Sequence, residues 1–382
     1  TDNAGLYESE EKYQNHKTLL IEGAQKTNAA HNNTTSSNTS QEKAQNANAL
    51  GEMLYASNKF KSAETSFISA VAHWKKASKT NSKPYALTLS NLGLLYQTTG
   101  RYTQSESYTV NALALREKLS KNSSAHAASI NNLAVLRKEQ GQFNEAEKLI
   151  GEALEVTKTA SGTESIAYAI AVNNKAMLYQ AIGRYDEAEK LMQEAIGIAE
   201  NELKEKSSNL VRFNMNLALL HQETGKFREA EGLYLNCMRI KEKRMGKHHP
   251  DYAHLERGLA SLYLAMGRED EVDALLLSAA DIYKKKLGDQ HPAYAATIHD
   301  LGNYYRSKGW NDRAGEFVQK AVTIRSSVLG TEHPDYINSL ENLALWQWQT
   351  GTKEEASNNY KKVMNTTMKY IDRYFAPMSE SE

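Results

Sequence analysis

Three histidines in this chain stand directly before a proline, in HHPDYA (248–253), QHPAYA (290–295) and EHPDYI (332–337). Histidine near carboxylates is the raw material of metal centres and of acid–base sites, and His249, His291 and His333 recur with Pro250, Pro292 and Pro334 at intervals of 42 residues. A metal centre needs a closed set of ligands converging on one point, whereas a fixed interval deals these rings out one to a repeat. Proline suits the first turn of a helix, where its missing N–H is not needed, and it drives the preceding residue into extended backbone. The HP pairs therefore read as three equivalent helix starts, each with a tyrosine two residues on to pack against the preceding hairpin. No metal and no cofactor are expected.

A second periodic set carries amide chemistry. Asn91, Asn132, Asn174, Asn216 and Asn342 hold equivalent places, with Asp300 in the seventh repeat and Ala49 and Gly258 as gaps; Asn131 and Asn173 double the row. A carboxamide donates and accepts at once, so such a row can pair with successive peptide groups whatever their side chains. Arg212, His254, Arg257 and Arg306 flank it and make it locally basic, a setting for an acidic segment or a terminal carboxylate. The alternative is that the asparagines satisfy neighbouring helices and nothing more.

These residues are positioned by a repeat. The turns SNKF, TGRY, QGQF, IGRY, TGKF, MGRE, KGWN and TGTK place Asn58, Gly100, Gly141, Gly183, Gly225, Gly267, Gly309 and Gly351 at intervals of 42, except for 41 between Gly100 and Gly141. Eight residues before each anchor stands Leu50, Leu92, Leu133, Lys175, Leu217, Leu259, Leu301 or Leu343, followed by Gly or Ala. A large apolar group three residues further on gives one face of a helix, and the small residue admits a second helix closely. After the anchor a second pattern opens with small residues such as Ala63, Ala146, Ala188 and Ala230, and again seven residues later. Each unit is thus a helix-turn-helix hairpin.

Composition limits the functional classes. Lysine plus arginine equal aspartate plus glutamate at 46 each, which argues against a nucleic-acid partner, since such binders carry a basic excess. Cys237 is the single cysteine, so no intrachain disulfide forms. No apolar run approaches the roughly 18–20 residues that span a bilayer. The opening TDNAGL, without methionine, leaves open both a cytoplasmic protein and an exported one whose signal peptide has been removed.

The stretches NNLAVLRKEQGQFNEAEKLIGEAL (131–154) and NLALLHQETGKFREAEGLYLNCMRIKEKRMGKHHPDYA (216–253) resemble the tetratricopeptide repeat (TPR) family, in its 42-residue kinesin-light-chain-like variety. The resemblance covers about residues 43–376. It implies an all-α fold, a right-handed α-solenoid of eight TPR-like hairpins, preceded by an N-terminal helix (within 13–25) and polar low-complexity loop in 1–42, and followed by a tail, 377–382. Lys175 at a leucine position, and the loss of the aromatic after the last glycines, depart from the pattern. In such proteins the first helices line a concave wall, and the asparagine of the row often bonds the backbone of a bound peptide. Leu94, Val135, Met177 and Leu219 make that wall partly apolar.

The implied function is a non-enzymatic module that binds an extended peptide or a partner protein on its concave surface. Its oligomeric state is not legible. No G-x-x-x-x-G-K-[ST], H-E-x-x-H or G-x-S-x-G occurs, Cys237 holds a small core slot, and paired acids such as Glu145/Glu147 and Glu187/Glu189 read as a solvated helix face. An alternative comes from MKYIDRYFAPMSESE (368–382), which is similar to the segment that in many bacterial repeat proteins leads into a caspase-like (CHAT) peptidase domain. The chain is then the sensor region of a larger protein.

Overall fold

The structure, a computed structural model, describes residues 39–203 and 208–374. The lone helix expected within 13–25 and the tail 377–382 lie outside the described residues, as does most of the polar run that begins at His31. Sixteen α-helices occur among the described residues: α1 (Ser40–Ala56) pairs with α2 (Phe60–Lys76) and α3 (Lys83–Thr98) with α4 (Tyr102–Ser120), and α5 (Ser124–Glu139) and α6 (Phe143–Ser161) follow in the chain. Then come α7 (Ile166–Ala181) with α8 (Tyr185–Leu203), and α9 (Ser208–Glu223) with α10 (Phe227–Met245). The last three pair α11 (Pro250–Ala265) with α12 (Val272–Leu287), α13 (Pro292–Ser307) with α14 (Asn311–Val328), and α15 (Pro334–Gln349) with α16 (Lys353–Tyr374). The fold is an all-α solenoid of helical hairpins, divided into two compact units, Thr1–Leu136 and Arg137–Glu382.

The anchor row works through backbone conformation. Every anchor has positive φ, from 53° at Asn58 to 91° at Gly351, the left-handed cap that glycine adopts without steric cost. The array's first helix begins at Ser40, three residues before the expected boundary at 43, because Thr39 and Glu42 form a capping box: Thr39 N–H donates to the Glu42 carboxylate (2.8 Å) and Glu42 N–H to Thr39 Oγ1 (3.3 Å).

Small residues set the helix spacing within each hairpin. A Cβ added at Gly51 would lie 2.5 Å from the Phe67 ring, and one at Gly302 2.7 Å from Val318. Ala63, Ser105, Ala146, Ala188, Ala230, Ala314 and Ala356 are fully buried, as are Ala70, Ala153, Ala195, Cys237, Ala279 and Ala321. Val272, the exception in the first of these rows, is also buried, but the turn before it, Glu269–Glu271, is a 3-10 helix rather than the first turn of an α-helix. Leu50 is 48% exposed where Leu92 and Leu301 are fully buried, since no described hairpin precedes the first.

At four junctions successive hairpins are pinned near the end of the second helix. In the first unit Trp74 donates from Nε1 to Thr88 Oγ1 (3.1 Å), and Arg116 reaches Ser129 Oγ at 2.6 Å. In the second unit Lys241 forms a buried ion pair with Asp251, and Arg325 donates to Ser339 Oγ (2.7 Å) and the Asp335 carbonyl (2.8 Å).

Candidate functional site

The first helix of each hairpin carries the asparagine row, and most of its members turn out to be partnered. In the first unit Asn91 donates from Nδ2 to Glu52 Oε1 (2.8 Å) and Asn48 Oδ1 (3.2 Å), one hairpin back. In the second unit Asn216 donates to Asn173 Oδ1 (3.1 Å), and Arg257 forms an ion pair with Asp300. Apart from the Glu52 contact, they follow one rule: the residue two places before the leucine position meets the residue one place before it in the next hairpin, 43 residues on. Asn173 is buried by this pairing.

Two members of the row are left without such a bond. Asn132, in the first unit, is exposed, and Asn174, in the second, is half-buried. Neither carboxamide bonds another side chain among the described residues. Asn131 is half-buried, and its Oδ1 is out of contact with solvent and without a hydrogen bond.

The basic flank is less basic than its composition. Arg257 is neutralised by Asp300, and burial together with the Arg257 charge pushes His254 down to about 4, so its ring is neutral near pH 7. Arg212 donates to Asn209 Oδ1 (3.0 Å) and lies over the Phe213 ring. Arg306 is different. It is half-buried and held by two amide oxygens, Asn342 Oδ1 at 2.9 Å and Asn303 Oδ1 at 3.4 Å, with no carboxylate in contact. Asn342 is itself buried, and its Nδ2 has no acceptor. Asn303 in turn meets His299 Nε2 (3.0 Å), whose Nδ1 faces Ser339 Oγ (3.2 Å).

The gap at Gly258 has a steric cause. A Cβ there would lie 2.6 Å from the ring of Tyr234, which fills the place an asparagine would need.

The paired acids are only partly a solvated face. Glu147 accepts from the Tyr179 hydroxyl (2.7 Å) and from Arg184 (3.2 Å), whose guanidinium lies 3.8 Å from the Tyr179 ring centre. Glu64 holds Tyr96 (3.0 Å) and Arg101 (2.7 Å) in the same way, and Glu231 holds Tyr263 (2.9 Å) and Arg268 (2.7 Å). Glu189 holds His221 (3.2 Å) and Lys226 (2.6 Å). In each case the acid on a second helix clasps the next hairpin at two points, 32 and 37 residues later. The signal was present as an aromatic or histidine four places after the leucine position and a cation directly after the anchor glycine. Glu145 and Glu187 face Arg137 and Arg184.

The three HP histidines are helix caps. His249, His291 and His333 have extended backbone, and each ring Nδ1 accepts the N–H two residues on, at 3.1, 3.0 and 3.0 Å. This satisfies a helix-start donor. Tyr252 and Tyr294 are buried, while Tyr336 is half-buried; the Tyr294 hydroxyl is engaged inside its own hairpin, by Lys320 Nζ at 3.1 Å. Burial pushes the Cys237 thiol up to about 12, the state of an inert core residue rather than a nucleophile. Among the described residues no helix is long and apolar enough to cross a membrane.

A tetratricopeptide repeat family model matches residues 41–122, 123–201, 210–285 and 311–367, well over half of the chain. The chain belongs to the tetratricopeptide repeat family. Among curated proteins none matches it. This TPR chain is similar in fold to a Rap protein solved in complex with competence and sporulation factor, with 16% identity, 86% of this chain and 88% of that one covered, and a TM-score of 0.60. The quorum sensor NprR from B. thuringiensis, in its apo form, matches at 14% identity over 95% of this chain and 97% of its own, with a TM-score of 0.57. Kinesin light chain TPR-like repeats from Podosopora anserina share 26% identity over 52% of this chain and 95% of theirs, with a TM-score of 0.43.

Proposed function

We propose that this TPR chain is a non-enzymatic module that binds an extended peptide along the face formed by its first helices. The observation that carries the reading is the division within the asparagine row. Asn48, Asn91, Asn173 and Asn216 are spent on neighbouring hairpins, whereas Asn132 in the first unit and Asn174 in the second keep donor and acceptor uncommitted, each at the equivalent place in its own hairpin. A carboxamide in that state matches one peptide group of an extended strand, and repeat surfaces of this kind are the usual place of binding. NprR, which shares the fold, has also been solved with its cognate peptide NprX.

Arg306 adds a charge preference in the second unit. Its guanidinium is oriented by two amides and not neutralised, so it favours an acidic side chain or a terminal carboxylate on the peptide.

The test is capture from a diverse peptide library by the intact chain and by Asn132→Ala, Asn174→Ala and the double variant, with helical circular dichroism held constant. Enrichment of a consensus by the wild type that the double variant loses supports the reading. Equal retention by both rejects it.

A second reading, the sensor region ahead of a caspase-like peptidase domain, rests on the likeness of residues 368–382 to such lead-out segments. The native gene read past Glu382 decides it.

A further inference from the structure

A pocket of about 480 Å³ opens in the first unit between α2, α3 and α4, on the side of the second helices and away from the asparagine row. Val71, the buried Leu89 and Leu115 supply the aliphatic part of its lining, beside a larger polar part. Two tyrosines, Tyr85 and Tyr108, form its sides, and Lys75, Thr80 and Asn111 reach its rim. Tyr108 is braced from behind by Tyr96, with ring centres 5.4 Å apart and planes 28° from parallel.

One lining position varies between hairpins. In the seventh hairpin the tyrosine equivalent to Tyr85, Tyr294, is capped by Lys320 from the second helix. In the fourth hairpin Tyr168 faces Glu194, equivalent to Lys320. At the same place in the second hairpin stands Asn111, which makes no hydrogen bond to either tyrosine. None of Tyr85, Tyr108, Asn111, Thr80 and Lys75 makes a side-chain hydrogen bond to another side chain among the described residues, so five polar groups in the lining keep their hydrogen-bonding capacity. Burial and the neighbouring Tyr108 raise Tyr85 further, which keeps its hydroxyl a donor.

The charge around the pocket has one sign. From Lys75 to Ser105 the sequence contains no aspartate or glutamate, while Lys75, Lys76, Lys79 and Lys83 lie within nine residues. None of the four has a carboxylate partner among the described residues. This local excess sits inside a chain of zero net charge.

We propose that this pocket binds a small organic anion with a ring body: the ring rests on Val71, Leu89 and Leu115 between the two tyrosines, and the anionic group is held at Lys75 and Asn111. The site is independent of the peptide face.

The probe is phenyl phosphate, titrated calorimetrically into the intact chain beside inorganic phosphate and phenol. Two variants accompany it: Asn111→Glu, which installs the residue the chain itself carries at positions 152 and 194, and Tyr108→Phe, which keeps the ring and removes the hydroxyl. Saturable binding of phenyl phosphate at least tenfold tighter than of either fragment is expected, weakened tenfold or more by Asn111→Glu and by a smaller factor in Tyr108→Phe. Unchanged circular dichroism shows that the variants are folded. Absence of saturation, equal binding of inorganic phosphate, or undiminished binding by Asn111→Glu each overturns the proposal; equal phosphate binding reduces the site to diffuse lysine attraction.

Discussion

Asn216 donates from its Nδ2 to the Oδ1 of Asn173, 3.1 Å away and one hairpin back. The bond joins two first helices, so this pair holds the repeat together and is withdrawn from any ligand. Asn173→Ala is expected to cost about 1 kcal/mol, since the half-buried Asn216 amide loses its acceptor. Asn174→Ala, one residue on, should stay within about 0.5 kcal/mol while lowering peptide capture. Urea denaturation of the two variants checks the first half, and an Asn173→Ala variant as stable as wild type would show that the pair is ornamental to folding.

Gly183 has φ of +78° and open space where a side chain would go, so the cost of substitution there is backbone strain alone. Gly183→Val should lose roughly 1 kcal/mol or more. Gly183→Asn should lose only a few tenths, because Asn58 already occupies the equivalent position at φ of 53°. Melting temperatures of the pair give the comparison, and equal values would contradict the left-handed assignment.

Lys241 and Asp251 are both buried. Asp251→Ala leaves an ammonium in the core without its partner and should cost about 3–5 kcal/mol. Adding Lys241→Met should restore most of that loss, since trading a buried ion pair for apolar packing is often neutral. A double-mutant cycle in denaturant reads both numbers.

Glu256 takes a place held by Leu89, Ile130, Val172, Ile298 and Leu340 in other hairpins. Ser278 donates to its Oε1 (2.9 Å), its Oε2 is buried without a partner, and burial pushes its carboxyl up to about 7. The raised value means that the folded state holds a proton the unfolded chain releases near pH 4.5. This contribution to stability is full below that pH, is lost as pH rises towards 7, and stays lost above it. The rise to about 7 corresponds to about 3 kcal/mol. The stability difference between Glu256→Gln and wild type should therefore be smallest near pH 4 and grow in favour of the variant up to pH 7. Half-buried His291 and His299, both pushed down to about 4 by desolvation, act in the opposite sense: their contribution is present above pH 6.5 and lost as pH falls to 4. The variant-minus-wild-type difference removes their effect, and a flat difference across pH 4–8 would refute the role of Glu256.

The hairpins, their turns and the HP helix starts were legible because each depends on residues close in sequence: a glycine that must take positive φ, a proline that fits a first turn, alanines at helical spacing. The pairing of Asn173 with Asn216, or of Arg257 with Asp300, was not. It depends on which of two adjacent rows meets the next hairpin, and a register offset of 43 against a period of 42 is invisible until the helices are packed. The same offset explains why Arg257, which reads as a free cation in the sequence, is neutralised by Asp300. The reading of Glu147 and Glu189 as solvated failed for a related reason: their partners lie in the following hairpin.

The clasp that Glu64, Glu147, Glu189 and Glu231 each make from a second helix to the next hairpin is local in space and periodic in sequence, and this bears on how the array can change length. Removing residues 190–231 takes out 42 positions and brings Glu189 to 32 residues before Tyr263 and 37 before Arg268, the spacings that Glu231 now has. The new junction would be made from parts that already fit. Loss or duplication of a whole period leaves no seam for selection to repair, so recombination between repeats can lengthen or shorten the molecule one hairpin at a time.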